Sequence, residues 1–335
     1  MSAAAAYVRG SGVALPARVV PNEEIAGALG LDPEWIYKAS GIRARRWAAE
    51  GQTAGSLAAE ALRAALADAS LEAPDIDYLL FGTMTPDRFI PGSGYSVQSA
   101  LGLGEIPCLD IRATCCNALY GLQLAKALVT SGAARNVALC LAEVQSPWLR
   151  LTPEAGTTSM LFGDAASALV VSGARAGGAL EVLDVVLASN GAFADDLGVR
   201  RPGTEFGAAT AAGDEERADF HPRMNGQAVI LQASRRMAAA CRAVLERNGL
   251  GVDDVRWVVP HQANANLLAQ VARAIGFGRA DGVVSVIEEL GNTSSASIGV
   301  ALDALRRKGQ IVEGDYLLLP AFGAGFTWGA GLCRA

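Results

Sequence analysis

Hydrophobic positions along the chain fall into two alternating kinds of run. IDYLLFG, IPCLDI, NVALCLAE and ASALVVS are short and apolar, with the length and composition of buried strands. LAAEALRAALADAS and NALYGLQLAKALVTSG carry apolar residues at helical spacing and end near a glycine or a polar turn. The alternation returns later, with VRWVVP, GVVSVIE, DYLLLPA and TWGAGLC as strands and NANLLAQVARAIG and SASIGVALDALRRKG as helices. Such alternation predicts an α/β architecture in which helices cover the sheets.

The later pattern repeats the earlier one. SLAAEALRAALADASLEAPDIDYLLFG, from Ser56, lines up with RRMAAACRAVLERNGLGVDDVRWVVPH, from Arg235, so that Leu66 falls on Leu245 and Tyr78 on Trp257, an offset of 179. GLQLAKALVTSGAARNVALCLAE, from Gly121, matches GVALDALRRKGQIVEGDYLLLPAF, from Gly299, at an offset of 178. Two copies of this length imply a duplicated domain rather than a solenoid. The boundary is placed near Gly173, giving halves 1–173 and 174–335, because VLDVVLAS at 182–189 already opens the second copy. Residues 188–222 are rich in Gly, Ala, Asp and Pro with little periodicity, which reads as an irregular functional insertion or a disordered connector.

With 335 residues, 51% hydrophobic and 19% charged, the chain can bury a large core. A net charge of −6 gives no electrostatic support to a nucleic-acid partner. The six cysteines include no CxxC and no pair with a histidine at ligand spacing, so no metal site is expected. The N-terminal MSAAAAYVRGSGVALP has no basic leader, and no apolar run is long enough to span a bilayer. A cytoplasmic protein with reduced thiols and no membrane contact is the expectation.

Candidate chemistry gathers where strands give way to helices. Cys115 and Cys116 lie at such a point in DIRATCCNALYG, where unpaired backbone N–H groups and the helix dipole would lower a thiol pKa and make a nucleophile. Small buried thiols are the other reading, and helix geometry alone does not choose between the two cysteines. Of the two histidines, His221 lies in the irregular insertion and reads as a surface residue. His261 closes the strand WVVP, at the carboxyl end where α/β proteins collect reactive groups. Asn292, in GNTSSASIGVALDAL, could simply cap the following helix, but its duplication partner at offset 178 is Thr114, next to Cys115. The glycine-rich PAFGAGFTWGAG lacks the Lys and Ser/Thr of a P-loop and better suits a backbone N–H aimed at a reacting carbonyl.

Taken in order, WIYKASGIRARRWA, DIRATC, LFGDAASALVV, PHQAN, GNTSSAS and FGAGFTWG resemble the thiolase superfamily, and most closely its β-ketoacyl-acyl-carrier-protein synthase III branch. The resemblance implies a five-layered α-β-α-β-α fold with two pseudo-equivalent halves. It implies that Cys115 takes an acyl group from a thioester, while His261 and Asn292 bind a malonyl thioester and stabilise the enolate formed on loss of carbon dioxide. The backbone N–H groups of Cys115 and Ala324 would form the oxyanion hole, with alanine replacing the family's usual glycine. Trp35 would stack on the coenzyme A adenine, Asn264 would touch the pantetheine arm, and Ile90 would shape the acyl pocket. No cofactor is implied beyond the coenzyme A or phosphopantetheine of the substrate, and the partners are acyl-CoA and acyl carrier protein. A homodimer is implied as well, joined near NVALCLAE and DIRATC.

Three departures bear on the substrate. Ala39, Ala155 and Asn266 stand where fatty-acid members commonly carry arginine. Each missing arginine removes a charge-assisted contact of roughly 1.5–3 kcal/mol. Arg43, Arg45 and Arg46 lie close by in sequence and could rebuild a basic patch. A specialised secondary-metabolism member is expected, either a condensing enzyme or an acyltransferase acting on a hydroxyl or amine without decarboxylation. A catalytically silent partner subunit would be expected to lose one of the three site residues, and none is lost.

Overall fold

A computed structural model of the chain describes residues 5–206 and 220–335. The first half runs β1 (Tyr7–Ala14), β2 (Arg18–Pro21), α1 (Asn22–Leu29), α2 (Pro33–Ser40), β3 (Ala44–Trp47), α3 (Ala54–Ala69), β4 (Tyr78–Gly82), α4 (Gly94–Leu101), β5 (Cys108–Ile111), α5 (Asn117–Thr130), β6 (Asn136–Glu143), α6 (Gly156–Ser159) and β7 (Ala165–Ser172). There follow β8 (Leu180–Ser189), β9 (Leu197–Gly198), β10 (Arg223–Met224), α7 (Gly226–Arg247), β11 (Val255–Val258), α8 (Ala265–Ile275), α9 (Ile287–Leu290), α10 (Ser297–Arg307), β12 (Tyr316–Gly323) and β13 (Thr327–Arg334).

Nine strands join in the order β11-β12-β13-β8-β1-β7-β6-β4-β5. The two halves of that order mirror one another about β8 and β1, which touch only through Tyr7–Glu181 and Val8–Leu180. In each half the strand that ends at the site runs parallel to its inner neighbour, β4 with β6 and β11 with β12. The strand read from GVVSVIE shrinks to one parallel bridge, Val283 to Val258, because the chain turns into α9 at Ile287.

The layers follow from which face each helix buries. α5 and α10 lie between the two half-sheets, where Leu119, Leu122, Ile298 and Leu302 pack with Leu139 and Leu169 on one side and Leu317 and Leu319 on the other. α3 covers the outer face of the first half-sheet through Leu57, Leu62 and Leu66. α7 covers the outer face of the second through Cys241, Val244 and Leu245. The thiolase-like, five-layered α/β fold with two pseudo-equivalent halves is therefore present.

The internal repeat is offset by 180, two residues more than the sequence match of the central helices. Thr114–Cys116 and Ser294–Ala296 are equivalent 3₁₀ turns, α5 and α10 begin at Asn117 and Ser297, and β6 and β12 begin at Asn136 and Tyr316. Thr114 thus pairs with Ser294, not with Asn292. Both members of the pair adopt a left-handed backbone, with φ of 53° and 47°. Matching small and apolar residues in the helices slid the alignment, whereas the turns in front of them set the true register.

The insertion read at 188–222 begins inside β8 and continues through a turn at Gly191–Asp196 to the short pair β9 and β10; its stretch 207–219 lies outside the described residues. Among the described residues no helix is long and apolar enough to cross a membrane.

Close approach of β1 to α3 depends on glycine. A Cβ on Gly12 would sit 2.3 Å from the Ala61 carbonyl oxygen and 2.4 Å from the Ala65 nitrogen, both helix backbone that cannot yield locally. Gly12→Ala is expected to destabilise the protein by about 3 kcal/mol through forced separation of strand and helix. Denaturant unfolding measures it, and a midpoint equal to wild type would contradict the packing described here.

Candidate active site

Two strained turns face each other where the halves meet. A non-glycine residue in the left-handed region costs on the order of 1–3 kcal/mol and persists only where its surroundings over-determine it. At Thr114 the side-chain hydroxyl donates to the Ala324 carbonyl at 3.2 Å, and the Ala113 N–H just before it donates to Asn117 Oδ1 at 2.6 Å. At Ser294 the backbone N–H donates to Asn292 Oδ1 at 2.9 Å. The turns place Cys115 Sγ 3.5 Å from Ser294 Oγ.

The structure separates the two adjacent cysteines. Cys116 is buried in the core, its thiol directed at the Thr327 carbonyl 3.4 Å away. Cys115 keeps part of its surface open and points across the turn toward Ser294. The thiol is not acidified, as its place before a helix had suggested. Burial pushes the Cys115 pKa up to about 11; its hydrogen bond with Ser294 opposes that, and the charge of Glu143 adds to it. The resting nucleophile candidate is a neutral thiol.

His261 is buried just beyond β11, its backbone N–H donating to the Pro320 carbonyl at 2.9 Å. Its Nδ1 lies 2.7 Å from Ser297 Oγ, the first residue of α10, and that hydroxyl also accepts the Gln262 N–H at 3.2 Å. In the tautomer in which Ser297 donates its O–H to Nδ1, Nε2 carries the proton. Burial lowers the imidazole pKa to about 4, opposed only in part by a hydrogen bond to the Ser294 backbone.

Asn292 is fixed through its backbone. Its N–H donates to Leu161 at 2.8 Å and its carbonyl accepts from Gly163 at 3.0 Å, a bridge between the halves. With Oδ1 accepting from Ser294 N, the Nδ2 hydrogens are the groups it can offer a ligand. His261 and Asn292 are thus neutral donors on either side of the Ser294 turn.

On the other side of Cys115 the chain leaves β12 through Gly323. A Cβ there would fall 2.3 Å from Thr114 Oγ1 and 2.9 Å from the Cys115 nitrogen, so only glycine lets the strand end close on this turn. Ala324 is not among the described residues with positive φ, so its side chain carries no left-handed strain. The turn is tied to the insertion by a reciprocal backbone pair, Asn190 to Phe326 at 2.8 Å and Phe326 to Asn190 at 2.9 Å.

The residues read as substrate contacts fare differently. Trp35 stands 45% exposed on α2, open to a ligand. Asn264 caps α8 with its Oδ1 and donates Nδ2 to the Ala39 carbonyl at 2.9 Å, which leaves one amide hydrogen for any ligand. Asn266 donates to the same carbonyl at 3.0 Å. The three nearby arginines do not rebuild a basic patch. Arg45 is fully buried on Val20 O, Asn22 Oδ1 and Met160 O; Arg46 reaches back to Pro16 and Ala17; Arg43 is neutralised by Glu288 at 2.9 Å and Glu34 at 3.9 Å.

Ile90 is 78% exposed beside Phe89 at 75%. β6 cannot form a subunit edge, since β7 and β4 flank it; β5 is the edge strand of the first half. His221 is half-buried with Nδ1 3.0 Å from the Trp148 carbonyl, not a free surface residue. Sequence reasoning missed Glu143, a carboxylate buried at the end of β6. Its signal was an acidic residue closing the apolar run NVALCLAE.

The duplicated fold and this cysteine, histidine and asparagine cluster define a thiolase-like condensing enzyme class. The chain belongs to the 3-oxoacyl-[acyl-carrier-protein] synthase III family: that family's description matches residues 109–191 and its C-terminal counterpart residues 245–335. A β-ketoacyl-[acyl-carrier-protein] synthase III of Cereibacter sphaeroides is 40% identical over 332 residues, 98% of each chain. The crystal structure of 3-oxoacyl-(acyl carrier protein) synthase III from Pseudomonas aeruginosa superposes with a TM-score of 0.87 at 34% identity, covering 98% of both chains. The priming β-ketosynthase of the R1128 polyketide pathway gives 0.87 at 30% identity, covering 98% of this chain and 95% of the other.

His261 carries a pH prediction. Its folded pKa of about 4 lies below the ordinary 6.5, so the unfolded chain binds the proton more tightly. The associated stability is complete above 6.5 and is lost as pH falls from there through 4. Integrated, the loss is about 3 kcal/mol. Urea unfolding of wild type and His261→Gln at matched pH is expected to show that much less acid sensitivity in the variant. Parallel pH profiles would mean that the imidazole is not held neutral.

Proposed function

We propose that the protein catalyses decarboxylative Claisen condensation of an acyl thioester with a malonyl thioester. The observation that carries this reading is the meeting of the Cys115 and Ser294 turns, with two neutral donors, His261 and Asn292, set around the second. Cys115 attacks the donor carbonyl, and the oxyanion forms against the N–H groups of Cys115 and Ala324. Collapse expels the donor thiol and leaves the acyl group on sulfur. The malonyl thioester carbonyl then lies on His261 Nε2–H and Asn292 Nδ2–H. As carbon dioxide leaves, the electron pair moves into that carbonyl, and the two donors hold the enolate charge without protonating its carbon. A histidine already neutral at physiological pH suits this, because an imidazolium would quench the carbanion. Carbon–carbon bond formation with the acyl-enzyme returns the sulfur and releases a β-ketoacyl product.

The donor and acceptor are carried on coenzyme A or the phosphopantetheine of an acyl carrier protein, with no further cofactor. Trp35 is the adenine platform, and the six free thiols fit a reducing cytoplasm. Edge strand β5, with exposed Leu109, and the neighbouring Phe89, Ile90 and Tyr95 form the face of a homodimer, where Ile90 would enter the partner's acyl pocket.

Incubation with acyl-CoA followed by intact mass measurement is expected to show an acyl adduct on wild type and on Cys116→Ala, and none on Cys115→Ala. Added malonyl thioester should discharge the adduct with release of carbon dioxide and a β-keto product. Discharge to a hydroxyl or amine without carbon dioxide would instead establish a plain acyltransferase, and no adduct from any donor would establish a silent subunit.

With Arg45 buried, Arg43 ion-paired, and Ala39, Ala155 and Asn266 uncharged, donor binding rests on pantetheine contacts and acyl burial, at about 0.8 kcal/mol per methylene. Acylation should therefore depend weakly on salt and favour donors longer than acetyl, as in a specialised rather than a primary fatty-acid enzyme. A steep rate loss between low and moderate salt, or acetyl-CoA outperforming every longer donor, would overturn this.

A further inference from the structure

Glu143 is a carboxylate with no exposed surface, set beside the nucleophile. Among the described residues no lysine or arginine forms an ion pair with it. Its neighbours are donors instead. Oε1 accepts from Ser295 Oγ at 2.7 Å and lies 3.4 Å from Ser294 Oγ; Oε2 accepts from Met84 N at 3.0 Å and Thr85 Oγ at 3.0 Å, with Thr83 Oγ at 3.4 Å. Ser294 Oγ in turn touches Cys115 Sγ. A continuous path of exchangeable hydrogens therefore runs from the thiol through one hydroxyl to a carboxylate that nothing else neutralises. An unpaired buried charge is costly to keep, and such sites are where function is sought.

We propose that Ser294 and Glu143 form the proton-holding pair for Cys115 during enzyme acylation. As sulfur attacks the donor carbonyl, the thiol proton passes to Ser294 Oγ, whose own hydrogen passes to Glu143. When the tetrahedral adduct collapses, the carbon–sulfur bond to the donor breaks, and the same path returns the proton to the departing thiolate. Donor thioester and Cys115 thiol become acyl-enzyme and free donor thiol, and Glu143 ends the step ionised as it began.

The surroundings fit a transient base. The titratable groups facing Glu143 are Cys115 from the turn before α5 and, through Ser294, His261 beyond β11. His261 is committed to the enolate and to Ser297, and its low basicity makes it a poor acceptor for a thiol proton. Burial raises the basicity of Glu143, against the hydrogen bonds that lower it. Asp164, the other buried carboxylate nearby, binds Ala48 N, Gln145 N, Ser146 N and Ser146 Oγ and has no route to the sulfur among these contacts.

A purely structural clasp would behave differently on substitution. Glutamine at 143 can keep its carbonyl oxygen on Met84 N and Thr85 Oγ, but its amide then faces the Ser295 backbone N–H that the carboxylate accepts, so this variant removes the proton acceptor at some cost to the clasp. Ser294→Ala leaves the carboxylate's other donors in place.

This inference rests on Cys115 being the nucleophile, so wild type must first show the acyl adduct on that residue; failure there sinks the proposed function itself. Given the adduct, acylation rates of wild type, Glu143→Gln and Ser294→Ala are followed by rapid-quench mass measurement across pH. Ser294→Ala should retain the wild-type unfolding midpoint to within a few degrees, and both variants, where folded, should acylate about a hundredfold more slowly near neutrality and recover as rising pH ionises the thiol directly. Rates within about twofold of wild type at every pH in a folded variant would overturn the pair. So would a slow rate that does not recover at high pH, which would mark Glu143 as a structural clasp. If Glu143→Gln fails to fold, Ser294→Ala decides alone, since Ser295, Met84 and Thr85 still hold the carboxylate there.

Discussion

The site depends on two left-handed turns, one in each half, being held against each other. Neither Thr114 nor Ser294 would adopt that backbone alone, at on the order of 1–3 kcal/mol apiece. Each is secured by contacts outside its own turn, Thr114 by the carbonyl of Ala324 after β12 and Ser294 by Asn292, whose backbone is bridged to Phe162. The strain is thus met by the packing of one half on the other. That arrangement sets Cys115 against Ser294 and brings His261 into the same neighbourhood through Ser297.

Burial has a second consequence, since it makes both the thiol and the imidazole neutral. The thiol is pushed up to about 11 and the imidazole down to about 4. A thiolate–imidazolium pair, as in many cysteine enzymes, is therefore not the resting state. Neutral donors are what a carbanion requires. The same neutrality leaves the thiol in need of an acceptor during acylation, and Glu143 is the group placed to meet that need.

Much of this was legible in the chain. Apolar runs and helical periods located most of the strands and helices, and the internal repeat implied a duplicated fold, because both signals reflect burial patterns that survive without neighbours. Cys115, His261 and Asn292 stood out by residue type at strand-to-helix junctions. What the chain did not show were quantities set by three-dimensional surroundings. The repeat register slipped by two because small helix residues match at several offsets, while the conformations that define it at Thr114 and Ser294 are backbone angles. The thiol acidity was misjudged because a helix start favours the thiolate, while enclosure by the second half opposes it more strongly. Arg43, Arg45 and Arg46 looked interchangeable in sequence, yet Arg45 is fully buried on Val20, Asn22 and Met160, whereas Arg46 is only half-buried and Arg43, ahead of β3, is exposed and paired with Glu288.

The pseudo-twofold also shows how one fold unit yields two unlike functions. At offset 180, Glu143 at the end of β6 corresponds to Gly323 at the end of β12. In the first position a long acidic side chain fills the space beside the Ser294 turn and binds its hydroxyls. In the second, any side chain would collide with the Thr114 hydroxyl and the Cys115 nitrogen, so only glycine lets the strand end close on that turn. One substitution between copies thus divides the labour. The glycine side lets its strand end close on the Cys115 turn, and the glutamate side places an acceptor near the thiol. The two sides of Cys115 differ because the duplication supplied two equivalent strand ends and the sequence filled only one of them.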